Sequence, residues 1–271
     1  MPRTRRTTKT STAFGLRRDL LDATAILLAQ ARSVLIITGA GLSADSGLSH
    51  YRGLPGLLKR KPEDARLIEA ALSSEVLAKR PELTWGYLLA MDAAVRGAQP
   101  NVGHRVLAEC ERVIKRTVIM TMNVDRLHQR AGSRDVIEMH GALHDLLCPT
   151  CEITRRFDDF SKLAIPPACA TCGTALRPDM PLFGEPLPPD PFTRLQVELD
   201  AGFDMVIAVG VVSMYPYVAR PILLAKAEGI PTVEIGPTTT DVSEVVDFRF
   251  RASPARVLEL IYETFRQRPG A

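Results

Sequence analysis

The 271-residue sequence predicts an α/β fold organised around a doubly wound parallel sheet. Two observations predict it. Short apolar, β-branched runs alternate with stretches whose apolar residues recur at helical spacing. Four of those runs stop at a small or polar residue: Gly39, Asn123, Gly210 and Gly236. Ligands in such sheets sit beyond the carboxyl ends of the strands, so these four ends are expected to converge on one crevice.

Residues 19–31 (DLLDATAILLAQA) carry apolar side chains at helical spacing and lead into a buried strand over 34–38. Residues 54–61 read as a basic loop bearing Gly and Pro. From 62 to 98 three helical segments follow, broken at Ser73-Ser74 and at Arg80-Pro81, where Pro81 suits an early helical position. Residues 102–114 form a further helix. This region is too long for a simple crossover between parallel strands, so part of it is expected to be an inserted helical module. Strands follow over 116–121 and 136–139, the second ending at His140-Gly141. After a cysteine-bearing section, a helix over 190–201, a strand over 205–209, a helix over 216–228, a strand over 231–235 and a helix over 255–266 complete the chain.

Lysine and arginine number 34 against 31 acids, a net charge of +3, which gives no electrostatic argument for nucleic acid. No apolar run approaches the roughly 20 residues of a membrane span. The first eighteen residues hold Arg3, Arg5, Arg6, Lys9, Arg17 and Arg18 with no acid. They read as a disordered solvated tail, with a transit peptide or a polyanion contact as alternatives; no apolar core marks a secretory signal. The cytoplasm is the default location this leaves.

Cys148-x-x-Cys151 and Cys169-x-x-Cys172 stand seventeen residues apart. Two such pairs can fill a tetrahedral zinc site with thiolates and leave no open position. The ion would staple a small module and not activate water. A redox dithiol or an iron–sulfur site are the alternatives. Cys110 is left over in a helical stretch and is expected to pack as a small hydrophobe.

Three further stretches can carry chemistry. Gly39-Ala40-Gly41 lets backbone N–H groups approach a phosphate, or simply makes a tight strand-to-helix turn. Asn123 and Asp125 at a strand end can hydrogen-bond an amide or a ribose, or open a helix as caps. His140 can serve as a general base near neutral pH, or be structural.

Taken together, GAGLSADSG with Tyr51-Arg52-Gly53, Pro100-Asn-Val-Gly-His104, TMNVDRLHQRAG, EMHG, the two cysteine pairs and Arg177-Pro-Asp-Met-Pro-Leu-Phe-Gly-Glu185 resemble the sirtuins, NAD-dependent protein lysine deacylases, over residues 19–266. The resemblance implies a Rossmann-like domain (19–56, 100–147 and 177–271) and a small domain made of a helical insertion (57–99) and a zinc ribbon (148–176). NAD, as co-substrate, and an acylated lysine of a protein or peptide would meet between them, with one structural zinc ion at the four cysteines. Gly39, Ala40, Gly41, Ala44 and Asp45 would line the NAD site, Arg52 would lie near the phosphates, and Tyr51 would cover the reacting ribose. Asn123 and Asp125 would hold the ribose and the nicotinamide amide. His140 would take a proton from a ribose hydroxyl after the acyl oxygen displaces nicotinamide, giving free lysine and acyl-ADP-ribose. Phe183, Gly184 and Glu185, with the segment from Ser213 through Tyr215 to Tyr217, resemble two strands that sandwich the substrate backbone.

The chain departs from the family pattern at several places. Met122 stands for a glutamine, Val211 and Val212 for Thr-Ser after Gly210, Gly236 for an asparagine, and Ser49 for a proline. Three lost polar contacts at roughly 0.5–1.5 kcal/mol each lead us to expect a weaker NAD site. Leu88 and Met91 occupy the positions where sirtuins that remove acidic acyl groups carry Tyr and Arg, so acetyl or longer aliphatic groups are expected over succinyl. Mono-ADP-ribosyl transfer or NAD hydrolysis on the same scaffold is the competing activity.

Overall fold

The computed structural model describes residues 16–48 and 62–268. Most of the basic tail, together with Ser49, Tyr51, Arg52 and the loop 54–61, lies outside the described residues. The strands are β1 (Ser33–Thr38), β2 (Arg116–Thr121), β3 (Val136–Glu138), β4 (Asp145–Leu147), β5 (Thr154–Arg156), β6 (Arg177–Pro178), β7 (Met205–Val209), β8 (Thr232–Ile235) and β9 (Phe248–Phe250). The helices are α1 (Arg18–Gln30), α2 (Ala40–Ala44), α3 (Pro62–Ala71), α4 (Ser74–Lys79), α5 (Pro81–Gly97), α6 (Val102–Val113), α7 (Leu127–Ala131), α8 (Pro189–Asp200), α9 (Pro216–Ala227) and α10 (Pro254–Arg266).

Six strands form one sheet in the order β3-β2-β1-β7-β8-β9, every pair parallel. The chain winds outward from β1 in one direction and from β7 in the other, so the switch point lies between their ends. The sequence of β1 explains its central place. Val34 and Ile36 pack with α1, α6 and α10, through Ala25, Leu107 and Leu258. Leu35 and Ile37 pack with α8 and α9, through Leu195 and Ile222. Alternate residues thus face opposite helix layers, and each such fully buried aliphatic side chain contributes roughly 1.5–3 kcal/mol. Cys110 is buried in the first layer and burial pushes its thiol up to about 12, which makes it the inert packing residue expected.

A third core joins the helical insertion to the cysteine section. Ile68 and Leu72 from the α3 region and Trp85, Leu88, Met91 and Val95 of α5 pack with Leu146, Cys148, Phe160 and Leu176. The antiparallel sheet β5-β4-β6 adjoins this core, Leu146 of β4 being part of it, although β4 and β6 fall in the segments assigned to the larger domain in the sequence. Its strands, and the edge strand β9, were absent from the sequence-based expectation. Two or three residues are too few to show a period of two.

At the switch point, Gly39 N–H donates to Val209 O (3.0 Å) and Gly41 N–H to Gly210 O (2.8 Å). Gly210 has φ +62, and a Cβ there would sit 2.2 Å from Leu42 N and 2.7 Å from Gly41 C. The glycines are therefore required by one backbone lying on another, whatever the loop binds. Gly210→Ala should cost about 2–4 kcal/mol, read by chemical denaturation, because both strain and overlap act at once. A loss below ~1 kcal/mol would mean that the two loops simply move apart.

Candidate active site

The polar strand ends do converge. Gly39 and Ala40 follow β1 and lead into α2, whose Ser43 is buried. Ser43 Oγ donates to Asp125 Oδ2 (2.6 Å), and Asn123 Nδ2 donates to Ser43 Oγ (3.0 Å) and to Gly39 O (3.1 Å). Asp125 Oδ1 also accepts from Leu127 N–H (2.9 Å), the first residue of α7, so the same carboxylate meets the helix start and the site, although the N-cap position itself is Arg126. Burial pushes the Asp125 carboxyl up, while the Ser43 and Leu127 donors hold it down.

His140 lies in the turn after β3. Arg126 ties the two sides of that turn together, reaching Glu138 (3.3 Å) and Asp145 (2.6 Å). The His140 Nδ1 is 3.1 Å from Met122 O, and its Nε2 is 2.7 Å from the Tyr217 hydroxyl. A carbonyl only accepts, so the ring proton is on Nδ1 and the Nε2 lone pair accepts from Tyr217. Burial lowers the pKa of His140, partly opposed by the Met122 carbonyl, so the ring is neutral at pH 7. Tyr217 is pushed up to about 12, first by burial and then by Tyr215, and stays protonated.

These groups open on a cleft of about 440 Å³. Of the residues singled out in the sequence, Gly39, Ala40, Met91, Met122, Asn123, Asp125 and His140 line it, as do Phe183, Gly184, Glu185, Val211, Val212, Ser213 and Tyr215. One wall is apolar, with Leu48, Leu72, Met91, Ala94 and Val95. Glu185 is turned inward. Arg177 holds it through two 2.6 Å bonds and keeps its carboxyl below the usual range, and Leu182 N–H also donates to it (2.8 Å). Phe183 is paired to the insertion instead, its N–H donating to Leu72 O (3.0 Å) and its O accepting from Ser74 N–H (3.3 Å).

Other expected residues are not on this wall. Leu88 is fully buried among Trp85 and its neighbours, so α5 lines the cleft through Met91, Ala94 and Val95, with Met91 and Val95 themselves largely buried, instead of through Leu88 and Met91. Asp45 accepts from Ser253 Oγ and Ala255 N–H, both at 2.9 Å, and so serves the start of α10. Ala44 is exposed, and Gly41, Gly210 and Gly236 are buried backbone positions at the strand ends. Ser43 and Tyr217 belong to the site without having been given a role of their own. Ser43 stood in the quoted GAGLS stretch and Tyr217 ended the segment expected to flank the substrate, but no spacing pointed to its contact with His140.

Beneath the strand ends, His104 and His128 lie with ring centroids 4.9 Å apart. His128 Nε2 reaches Thr38 Oγ1 (2.9 Å), and neither nitrogen of His104 has a partner among the described residues. Burial lowers His104 to about 4, and burial with the neighbouring His104 lowers His128 to about 3. Both rings take up protons more readily in the unfolded chain, near pH 6.5. Their contribution is therefore whole above pH 6.5 and is lost as pH falls toward 4 and 3. By pH 5 each should cost roughly 2 kcal/mol, so denaturation midpoints should drop between pH 7.5 and 5. An unchanged midpoint would contradict the neutral pair.

The four cysteines have their Sγ atoms within 4.8 Å of one another. Cys148 and Cys172 are 3.5 Å apart at sulfur, and backbone N–H groups of Cys151 and Thr171 point at Cys148 and Cys169 Sγ, both at 3.4 Å. A tetrahedral zinc ion with bonds of ~2.3 Å needs sulfurs about 3.8 Å apart, and this donor set fits it. The ion would lie beside the third core, away from the cleft.

The chain matches the model of the Sir2 family over residues 39–215. It is 41% identical to a Pseudomonas aeruginosa protein named NAD-dependent protein deacylase 2, over 82% of this chain and 88% of that one. It is 34% identical to NAD-dependent protein deacylase 1 of Archaeoglobus fulgidus, over 89% of this chain and 96% of that one. Among solved structures it resembles a Sir2 homologue in complex with NAD, with a TM-score of 0.81 and 32% identity over 96% of this chain and 97% of the other. A mutant Sir2 homologue with 2′-O-acetyl ADP ribose resembles it with a TM-score of 0.80 and 32% identity, over 93% and 97% of the two chains.

Proposed function

The chain belongs to the Sir2 family, and from that premise we propose that the cleft is where NAD and an acylated lysine react. The protein is an NAD-dependent protein lysine deacylase that releases nicotinamide and forms acyl-ADP-ribose. The observation that carries this reading is the meeting of a neutral imidazole, His140, with the Asn123–Ser43–Asp125 network in one cleft. NAD supplies the electrophilic ribose carbon and the nicotinamide leaving group. The chain supplies the rest. Asn123 and Asp125 orient the ribose and the amide, His140 accepts the proton, and the apolar walls keep the site dry while charge develops. Phe183, Gly184, Ser213 and Tyr215 flank the substrate backbone. Free cysteines and the absence of any membrane-length apolar helix among the described residues suit a reduced, cytoplasmic setting.

Among the described residues, the wall of Leu48, Leu72, Met91 and Val95 offers no cation, so we assign acetyl and longer aliphatic groups as substrates over succinyl. With NAD and a matched set of acetyl-, octanoyl- and succinyl-lysine peptides, free lysine should appear from the first two, one nicotinamide being released for each acyl group removed. Faster turnover of the succinyl peptide would refute the acyl assignment. Nicotinamide release with every peptide left intact would replace deacylation by NAD hydrolysis.

A further inference from the structure

We propose that Tyr217 relays the ribose proton to His140, acting from the first turn of α9. The proposal rests on the deacylase reading above. Its origin is the contact at the base itself. The Nε2 lone pair that would take the proton already accepts from the Tyr217 hydroxyl at 2.7 Å. Another hydroxyl cannot donate to that lone pair without first displacing the phenol. The phenol oxygen, however, accepts while it donates, so a ribose hydroxyl can bond to it with the existing contact kept.

Packing favours keeping it. Tyr215 stacks on the Tyr217 ring at 5.8 Å with planes 4° apart, and Phe192 meets it edge-on at 5.3 Å. The backbone closes the same turn, with Val218 N–H donating to Tyr215 O (2.9 Å). The hydroxyl is thus held at Nε2 from two sides. The other titratable groups lining the cleft are occupied or exposed. Asp125 faces Ser43 and Leu127, Glu185 faces Arg177, and Tyr215 is 45% exposed.

In the step, a ribose O–H bond breaks as its proton bonds to the Tyr217 oxygen, and the electron pair left on the ribose oxygen forms the bond to the acyl carbon. The proton that Tyr217 carried moves to Nε2. The tyrosine is left neutral, the imidazole becomes an imidazolium, and nothing is oxidised or reduced. A phenol as weakly acidic as this one favours a concerted transfer over a free phenolate.

Tyr217→Phe tests this, since it keeps the ring and its stacking and removes only the hydroxyl. Deacylation kcat with an acetyl-lysine peptide should fall tenfold or more. Exchange of labelled nicotinamide into NAD, which precedes the base step, should stay within about twofold. In the NAD-free protein, nitrogen NMR should show the His140 Nε2 signal shifted and its pKa raised, because the donor to the neutral ring is gone. Deacylation at or above the wild-type rate would reduce Tyr217 to a cap and overturn the relay. An unchanged His140 signal would also overturn it while sparing the deacylase reading. Failure of the wild type to deacylate at all would remove both.

Discussion

His140→Ala should lower deacylation about 10³-fold while leaving nicotinamide exchange measurable. The magnitude is that of a well-placed general base, typically 10²–10⁴. The split between the two rates follows from position. His140 sits with its Nε2 facing Tyr217 and the cleft, its Nδ1 tied to Met122 O, and it touches neither Asn123 nor Asp125 through any of its described hydrogen bonds. It is therefore placed to move a proton, whereas the Asn123–Ser43–Asp125 network is placed to bind. Asn123→Ala should show the complementary pattern, with exchange and deacylation falling together, because it also unlinks Gly39 from Ser43. Parallel loss of both rates in His140→Ala would mean that the histidine holds the ribose and does not act as the base.

Removal of the metal is the second large effect. Cys148 is both one of the four clustered cysteines and a member of the third core, in which Trp85, Leu146 and Phe160 are fully buried. Structural zinc contributes about 10–16 kcal/mol in isolated zinc fingers, and a staple next to a small core should transmit a sizeable part of that. Chelation, or Cys148→Ser, should therefore melt the small domain and abolish activity, while far-ultraviolet dichroism keeps most of the signal of the parallel sheet and its helices. The loss should follow the metal, assayed as one zinc per chain. Activity that survives complete, verified metal removal would contradict the stapling role, and stoichiometric iron would replace the ion.

The parallel sheet was legible because its central strands are buried on both faces. A run such as residues 34–38 has no other stable place in a folded chain, and its abrupt stop at Gly39 marks the ligand side. The site residues that could be read were those at strand ends: Asn123, Asp125 and His140. Two things could not be read. Leu88 and Met91 lie three apart on α5, yet rotation of the helix turns Leu88 into the core beside Trp85 and leaves Val95 to share the cleft with Met91. The packing of that helix with Ile68, Leu72, Leu146 and Phe160 fixes the rotation. The role of Tyr217 at the base, though its segment is singled out in the sequence, was hidden for a different reason. Tyr217 comes 77 residues after His140, and the fold alone brings the two within 2.7 Å. Asp45 shows the opposite case, a polar residue of the phosphate-side loop whose hydrogen bonds go to the start of α10.

The central claim is that the acyl group ends on ADP-ribose because both substrates occupy the one cleft. Mass spectrometry of the nucleotide product, with NAD and a peptide carrying ¹⁸O in its acetyl carbonyl, tests it most directly. Acetyl-ADP-ribose carrying one ¹⁸O should form in equal amount to the free lysine. Unlabelled ADP-ribose together with free acetate from the first measurable turnover would contradict it.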